Sequence, residues 1–424
     1  HRDKKYQMDH ILECFIDKKQ KPELIEFLRY DTRSPVAQAP YIFDEKLAQL
    51  AQTTLALKAN YQSNYKFTPE LFHLANEQLK LLNRIAEWET SWITYPLYIV
   101  AMQLFEISNK LDQLVSRRAI SKTKKRGDLD EEKFLEKCGR TIHTSFKLCL
   151  NDRDPTMAQN KKLGVYYFTN LEFKIYHKLQ NRDMVKNLVK VLNSRGSELP
   201  SLHNALGDQR AYIVTYYYYM GEYYGCNEGD FHKAFEYLQK ALMECNSVRR
   251  GGGSDQMNAI LTLLVPFAML SHRWYPNESI LQKRYTPVAN VYCKMFRSLL
   301  NGDLKSFDEE FAKNELLFLR KNLYTAISLL RELVLLKLIK RCWRENGSTP
   351  IVPLSLVAVA LKKSQESEGG IDTGTIDDEV LDDTECSLAN LIAKGYIKGY
   401  LSHSNRCVVV SKAEPFPRLV REGS

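Results

Sequence analysis

The stretch DTECSLANLIAKGYIKGYLSHSNRCVVVS, residues 383–411, reads as one short helix followed by one tight hairpin. Asp383 suits an N-cap, Leu388, Leu391 and Ile392 recur at the i, i+3, i+4 spacing of a buried helix face, and Gly395 stands where a left-handed C-terminal residue belongs. The helix is therefore expected to run about three turns and stop sharply. Behind it, the β-prone runs Tyr396–Leu401 and Cys407–Val410 are split by His403-Ser404-Asn405-Arg406, a four-residue hairpin loop. Ahead of it, Pro353–Leu361 reads as a second helix with proline at its first position. Helix, helix, hairpin is the order of a winged helix.

Outward from this end, the chain is helical. Two short helices broken at Pro22 are expected between Met8 and Tyr30, then amphipathic helices over Phe43–Ala59, Glu70–Ile85 and Leu97–Val115. Between Leu163 and Cys245, Tyr217, Met220, Gly221 and Tyr224 match the tetratricopeptide spacing by residue class, and Ala234, Leu238 and Ala241 match its second helix. Gly221 then lets two helices approach closely, and the tyrosines from Tyr212 to Tyr224 fill the space between layers rather than forming a platform for bases. Asn301-Gly302-Asp303-Leu304, with Phe307 and Phe311, reads as a turn and helix start. The run Leu316–Trp343 is apolar nearly all round and is expected to be buried on two sides as one hinge helix. The expected organisation is 1–160, an N-terminal helical region; 161–295, tetratricopeptide-like repeats; 296–350, a helical subdomain; and 351–424, the winged helix and tail.

At Leu388–His403, Val409–Lys412 and Pro415-Phe416-Pro417, the sequence resembles the end of a PCI domain, a helical repeat capped by a winged helix. Gly302-Asp303-Leu304 is similar to the Gly-Asp-Leu that opens such domains. Within them the chain is most similar to the branch holding the signalosome-associated twelfth subunit and the PCI-domain-containing proteins of nuclear mRNA export. The resemblance implies an all-α helical repeat ending in a winged helix with a small β-hairpin. It also implies a second PCI-like protein paired through that winged helix, and a small acidic disordered subunit wrapped on basic helices such as Lys313–Arg344. The implied setting is the nucleus, with the cytoplasm second. Transcription-coupled mRNA maturation is the leading role, and a signalosome or proteasome-lid scaffold whose winged helix only docks other subunits is the alternative.

Composition bounds these readings. Nine cysteines are scattered through 424 residues without paired spacing, which argues against a disulfide framework and for a reducing compartment. The longest apolar runs fall short of the roughly 18–20 residues that span a bilayer. A net charge of +9 permits contact with nucleic acid without demanding it, so the placement of charge decides. Residues 366–385 carry nine acids and no base, whereas 394–421 carry six bases and one acid. Acids at a helix N-terminus repel phosphate there, so nucleic-acid contact is expected from the wing side, at Lys394, Lys398, Arg406 and Lys412. Such binding of RNA or DNA would be weak, sequence-tolerant and salt-dependent. Further base excess lies at Lys161–Arg195 and Lys313–Arg344. Lys122, Lys124, Lys125 and Arg126 form a basic run that reads either as a solvated linker or as a nuclear-import signal. Gly251-Gly252-Gly253-Ser254 resembles an engineered flexible linker.

Catalytic signatures are missing from the sequence. It contains no Cys-x-x-Cys, His-Glu-x-x-His, His-x-His or Gly-x-Ser-x-Gly and no dinucleotide or kinase fingerprint, so no metal, no cofactor and no enzyme activity are expected.

Overall fold

The computed structural model describes residues 2–33, 42, 44–121, 132–248, 255–366 and 376–418. Lys122, Lys124, Lys125, Arg126 and the Gly251–Ser254 run lie outside the described residues. The chain divides into two compact units, residues 1–220 and 221–424. The division falls inside a helix rather than in a linker.

The first unit holds α1 (Arg2–Asp17), α2 (Pro22–Leu28), α3 (Glu45–Asn64), α4 (Pro69–Ala86), α5 (Thr94–Ser121), α6 (Phe134–Leu150), α7 (Val165–Lys178), α8 (Arg182–Ser194), the short α9 (Leu202–Leu206) and most of α10 (Arg210–Cys226). Each of α3 to α7 packs against the helix that follows it, as in a helical repeat. Pro22 starts α2 as expected, and Asp44 and Thr68 cap α3 and α4 by accepting from the amides of Leu47 and Leu71. The tyrosines of α10 are packing groups. Tyr212 meets Tyr98 and Tyr167 edge-on, and Tyr219 stacks on Phe173 at 5.4 Å.

The second unit continues with α11 (Phe231–Val248), α12 (Asp255–His272), α13 (Glu278–Arg284), α14 (Thr286–Asn301), α15 (Leu304–Lys313), α16 (Glu315–Arg320) and α17 (Tyr324–Glu345). The expected close approach at Gly221 is present: a Cβ there would stand 2.6 Å from Leu238 Cγ. Gly302 is left-handed (φ +66°) and ends α14, and Asp303 caps α15 by accepting from Ser306 N. The expected single helix over Leu316–Trp343 is two helices. Asn322 turns left-handed (φ +58°) between them, and Leu316 and Leu319 on α16 are 69% and 52% exposed, so only α17 is buried as foreseen. Apolar composition cannot reveal that break, because the residue that makes it is a single polar Asn.

α17 packs on α12, α14 and α15 and carries the terminal domain through α18. That domain runs β1 (Ile351–Pro353), α18 (Leu354–Gln365), α19 (Asp378–Ala393), β2 (Gly399–Ser402) and β3 (Cys407–Val410). Its antiparallel sheet has the order β1-β3-β2, the arrangement of a winged helix. Two expectations are corrected. The N-cap of α19 is Asp377, accepting from Val380 N, and Asp383 lies inside the helix. The added turn was hidden because Thr384 fills a core position, with its hydroxyl satisfied by Val380 O. Pro353 closes a strand too short for a periodicity argument and precedes α18 rather than opening it. Cys407–Val410 is the central strand of the sheet.

The stop of α19 is as read. Gly395 is left-handed (φ +80°), Tyr396 N donates to Leu391 O, and Gly395 N donates to Ile392 O, which is the paired geometry of a Schellman ending. Leu388 and Leu391 are fully buried beneath it.

Candidate docking and nucleic-acid interface

The four basic residues expected to contact nucleic acid have different surroundings. Lys394, just past α19, puts its ammonium 2.6 and 2.7 Å from the two carboxylate oxygens of Glu332 on α17. Arg406, at the tip of the wing, donates to Asp382 at 2.7 Å and Glu385 at 3.1 Å, so two acids of α19 hold the wing against the helix. Its pKa is raised by the hydrogen bond to Asp382. Lys398 and Lys412 sit together at the base of the hairpin, where Lys398 O accepts from Ser411 N. Both are exposed and carry no ion pair among the described residues.

Some of the more distant bases are engaged. Lys161 and Lys162 are buried, with their ammonium groups on Glu89 O and Asp152 O, so they contribute no surface. Arg331 makes a two-point pair with Asp308, and Arg341 donates to Asn301 O.

Asp382, Glu385 and His403 bring three metal-type ligand atoms within 4.8 Å of one another, a cluster invisible to sequence spacing because the loop returns the histidine to the helix. Arg406 already donates to both carboxylates, and His403 Nδ1 lies 2.9 Å from Glu385. A guanidinium on the same oxygens opposes a second cation there.

The sheet edges differ. Val410 N donates to Pro350 O and Leu354 N to Arg406 O, so alternation turns the backbone groups of Ile351 and Pro353 outward. Ile351 O is taken by Asn346 Nδ2 and Thr349 Oγ1, and proline offers no N–H, which blocks two of the four outward groups of that edge. On β2, the Ser411-to-Lys398 bond directs residues 398, 400 and 402 toward β3. Gly399 and Leu401 therefore present their backbone groups outward, and no hydrogen bond among the described residues reaches them. Tyr400, between them, is 63% exposed.

Residues 311–412 match the PCI domain family. A protein of Eremothecium gossypii named COP9 signalosome complex subunit 12 is 42% identical over 414 residues, 97% of this chain and 98% of its own. The chain belongs to the COP9 signalosome subunit 12 family. Its relative of the same name in Saccharomyces cerevisiae is 39% identical over 442 residues, covering 97% and 99% of the two chains, and that of Kluyveromyces lactis is 35% identical over 401 residues, covering 93% and 94%. The PCI resemblance and its twelfth-subunit branch are thus correct. None of these three names carries the mRNA-export half of the reading.

Proposed function

We propose that the chain is a non-catalytic scaffold subunit of a signalosome-type assembly, which docks a second PCI-type subunit by strand addition to the outer edge of β2. The observation that carries this is the contrast between the two sheet edges: β1 is partly blocked by Asn346, Thr349 and Pro353, whereas Gly399 and Leu401 leave β2 open. The internal pairing of Lys394 and Arg406 favours docking over phosphate binding at this domain, since both charges are already met by carboxylates. The test is co-purification with the second PCI-type subunit. Leu401→Pro, which removes one outward N–H, and Tyr400→Ala are expected to weaken assembly while the melting transition persists; unchanged assembly in both variants would overturn the reading.

The nuclear mRNA-maturation role is the second reading, supported by Lys398 and Lys412 alone within the winged helix. A nuclear setting rests on the Lys122–Arg126 run, and alanines at Lys124, Lys125 and Arg126 that leave nuclear level unchanged would remove that support. A small acidic subunit is proposed on the exposed Arg320 and Arg344, neither of which has an ion pair among the described residues.

A further inference from the structure

Away from the sheet edge, the second unit contains a cleft of about 690 Å³. Arg273, Lys337, Lys340 and Arg418 line it, and its lining includes no aspartate or glutamate. Among the described residues none of the four makes an ion pair. Lys340 titrates below the usual lysine range, because burial and then the charges of Lys337, Arg344 and Arg273 disfavour its ammonium form. Cations gathered without a counter-charge repel one another, and an anionic ligand relieves that cost.

The cations are positioned by the fold. Arg273 is left-handed (φ +57°), a conformation that disfavours a side chain. Its guanidinium folds back onto Met269 O and Leu270 O at the end of α12 and lies 5.4 Å from the centre of the Tyr396 ring. Lys340 sits 5.5 Å from the centre of the Phe416 ring, which Trp343 holds edge-on. His232 also lines the cleft, and its Nδ1 is buried without a hydrogen-bond partner among the described residues. Met269, Leu299, Leu333 and Leu336 supply an apolar floor, with Tyr275 at the rim.

We propose that this cleft binds a nucleotide, with its phosphate held by Arg273, Lys337, Lys340 and Arg418 and its base laid on the apolar and aromatic wall. A phosphate offers three oxygens to several donors at once, which suits four converging cations better than the two oxygens of a carboxylate. The cleft falls in the size range of small-molecule sites and exceeds what bare phosphate fills. The apolar and aromatic lining accounts for the remainder. The nucleotide is either free or the phosphorylated end of a single strand, since both present the same chemistry.

The test uses the full chain and calorimetric titration with three probes: ADP, a ten-nucleotide RNA with a 5′ phosphate, and an aspartate-rich peptide of the same net charge. Binding of ADP or of the RNA, weakened at least tenfold in Lys337→Glu/Lys340→Glu and in the separate variant Arg418→Glu, supports the site. Tighter binding of the RNA than of ADP, lost without its 5′ phosphate, assigns a strand end; equal binding assigns a free nucleotide. Lys186→Glu, at an exposed position of α8 outside the cleft, is expected to leave the ADP affinity unchanged. Failure of ADP and RNA to bind overturns the proposal, as does binding that both cleft variants retain. Tighter binding of the peptide, with the same sensitivity to the variants, overturns the nucleotide assignment.

Discussion

Lys394 and Glu332 form a two-point ion pair that ties the end of α19 to α17, with the side chains 37% and 21% exposed. A cation read from the sequence as a phosphate contact is thus part of how the terminal domain is seated on its supporting helix. Lys394→Glu sets two carboxylates against each other and is expected to lower stability by about 1 kcal/mol, the upper range for an exposed pair. Adding Glu332→Lys should restore most of that loss. A double-mutant cycle by urea denaturation with zero coupling would show that the pair contributes nothing.

Lys398 and Lys412 are the complementary case. Neither has an ion pair among the described residues, so Lys398→Glu/Lys412→Glu is expected to leave the melting temperature nearly unchanged. Any RNA affinity belonging to the winged helix should fall in this variant, with a log–log salt slope shallower by about 0.7 for each single-strand phosphate that the lysines no longer neutralise. An unchanged slope would remove the winged helix from nucleic-acid binding altogether.

Gly221 is a packing requirement. With a Cβ expected 2.6 Å from Leu238 Cγ and 3.2 Å from Ala234 O, Gly221→Ala forces α10 and α11 apart. The intrinsic helix preference for alanine, about 1 kcal/mol, acts in the opposite direction. Overpacking of a core contact costs about 1–3 kcal/mol, so a net loss is expected. Gly221→Ala should cost less in a Leu238→Ala background than in the parent, which thermal melts of both single variants and the double variant would reveal.

Lys58 provides a pH signature in the first unit. It is 1% exposed, and its ammonium donates to Glu26 O, Thr32 O and Thr32 Oγ1. Burial lowers its pKa from 10.5 to about 8, against the opposing pull of Asp31 and Glu26 and with a small push from Arg29. The unfolded chain therefore binds more protons between these values, and Lys58 makes stability rise as pH increases through that window. Buried Cys138 and Cys149 act in the opposite direction above the ordinary thiol value of 9.0, because desolvation raises both thiols and the folded chain then holds the extra protons; Tyr30 does the same above 10.0, being raised by burial to about 12. The rise is thus expected between about pH 8 and 9. Lys58→Met should flatten it, and an unchanged pH–stability slope in that variant would refute the assignment.

The parts of the fold legible in the sequence were those fixed by local chemistry. Gly395, Gly302 with Asp303, Pro22 and the Gly221 approach each follow from what one residue type permits. What stayed hidden depended on contacts distant along the chain. The three residues of β1 become a strand only because β3 pairs with them, and Asn322 divides an apolar run by a change of one backbone angle. The surroundings of the four bases stayed hidden for a similar reason. Net charge by segment is visible in sequence, but the pairing of Lys394 with Glu332 and of Arg406 with Asp382 is not. The cleft escaped because Arg273, Lys337 and Arg418 come from three separate segments. A base excess over Lys313–Arg344 was its only visible trace.

Arg406 combines two effects that substitution can separate. Its backbone is left-handed (φ +45°), a region that favours glycine, while its side chain joins the wing to Asp382 and Glu385. Arg406→Ala removes the ion pairs and retains the unfavourable backbone, whereas Arg406→Gly removes the ion pairs and relieves the backbone. Relief is worth roughly 1–2 kcal/mol, and the greater freedom of glycine in the unfolded chain takes back about 0.4–1 kcal/mol. Glycine is therefore expected to be the more stable variant by up to about 1.6 kcal/mol, and alanine, which keeps the backbone, is expected to fall below the parent by what the ion pairs contribute. Chemical denaturation of the three proteins measures this order directly. Alanine more stable than glycine would mean that the wing adopts another backbone once the guanidinium is gone, and a parent no more stable than the alanine variant would mean that Asp382 and Glu385 do not hold the wing.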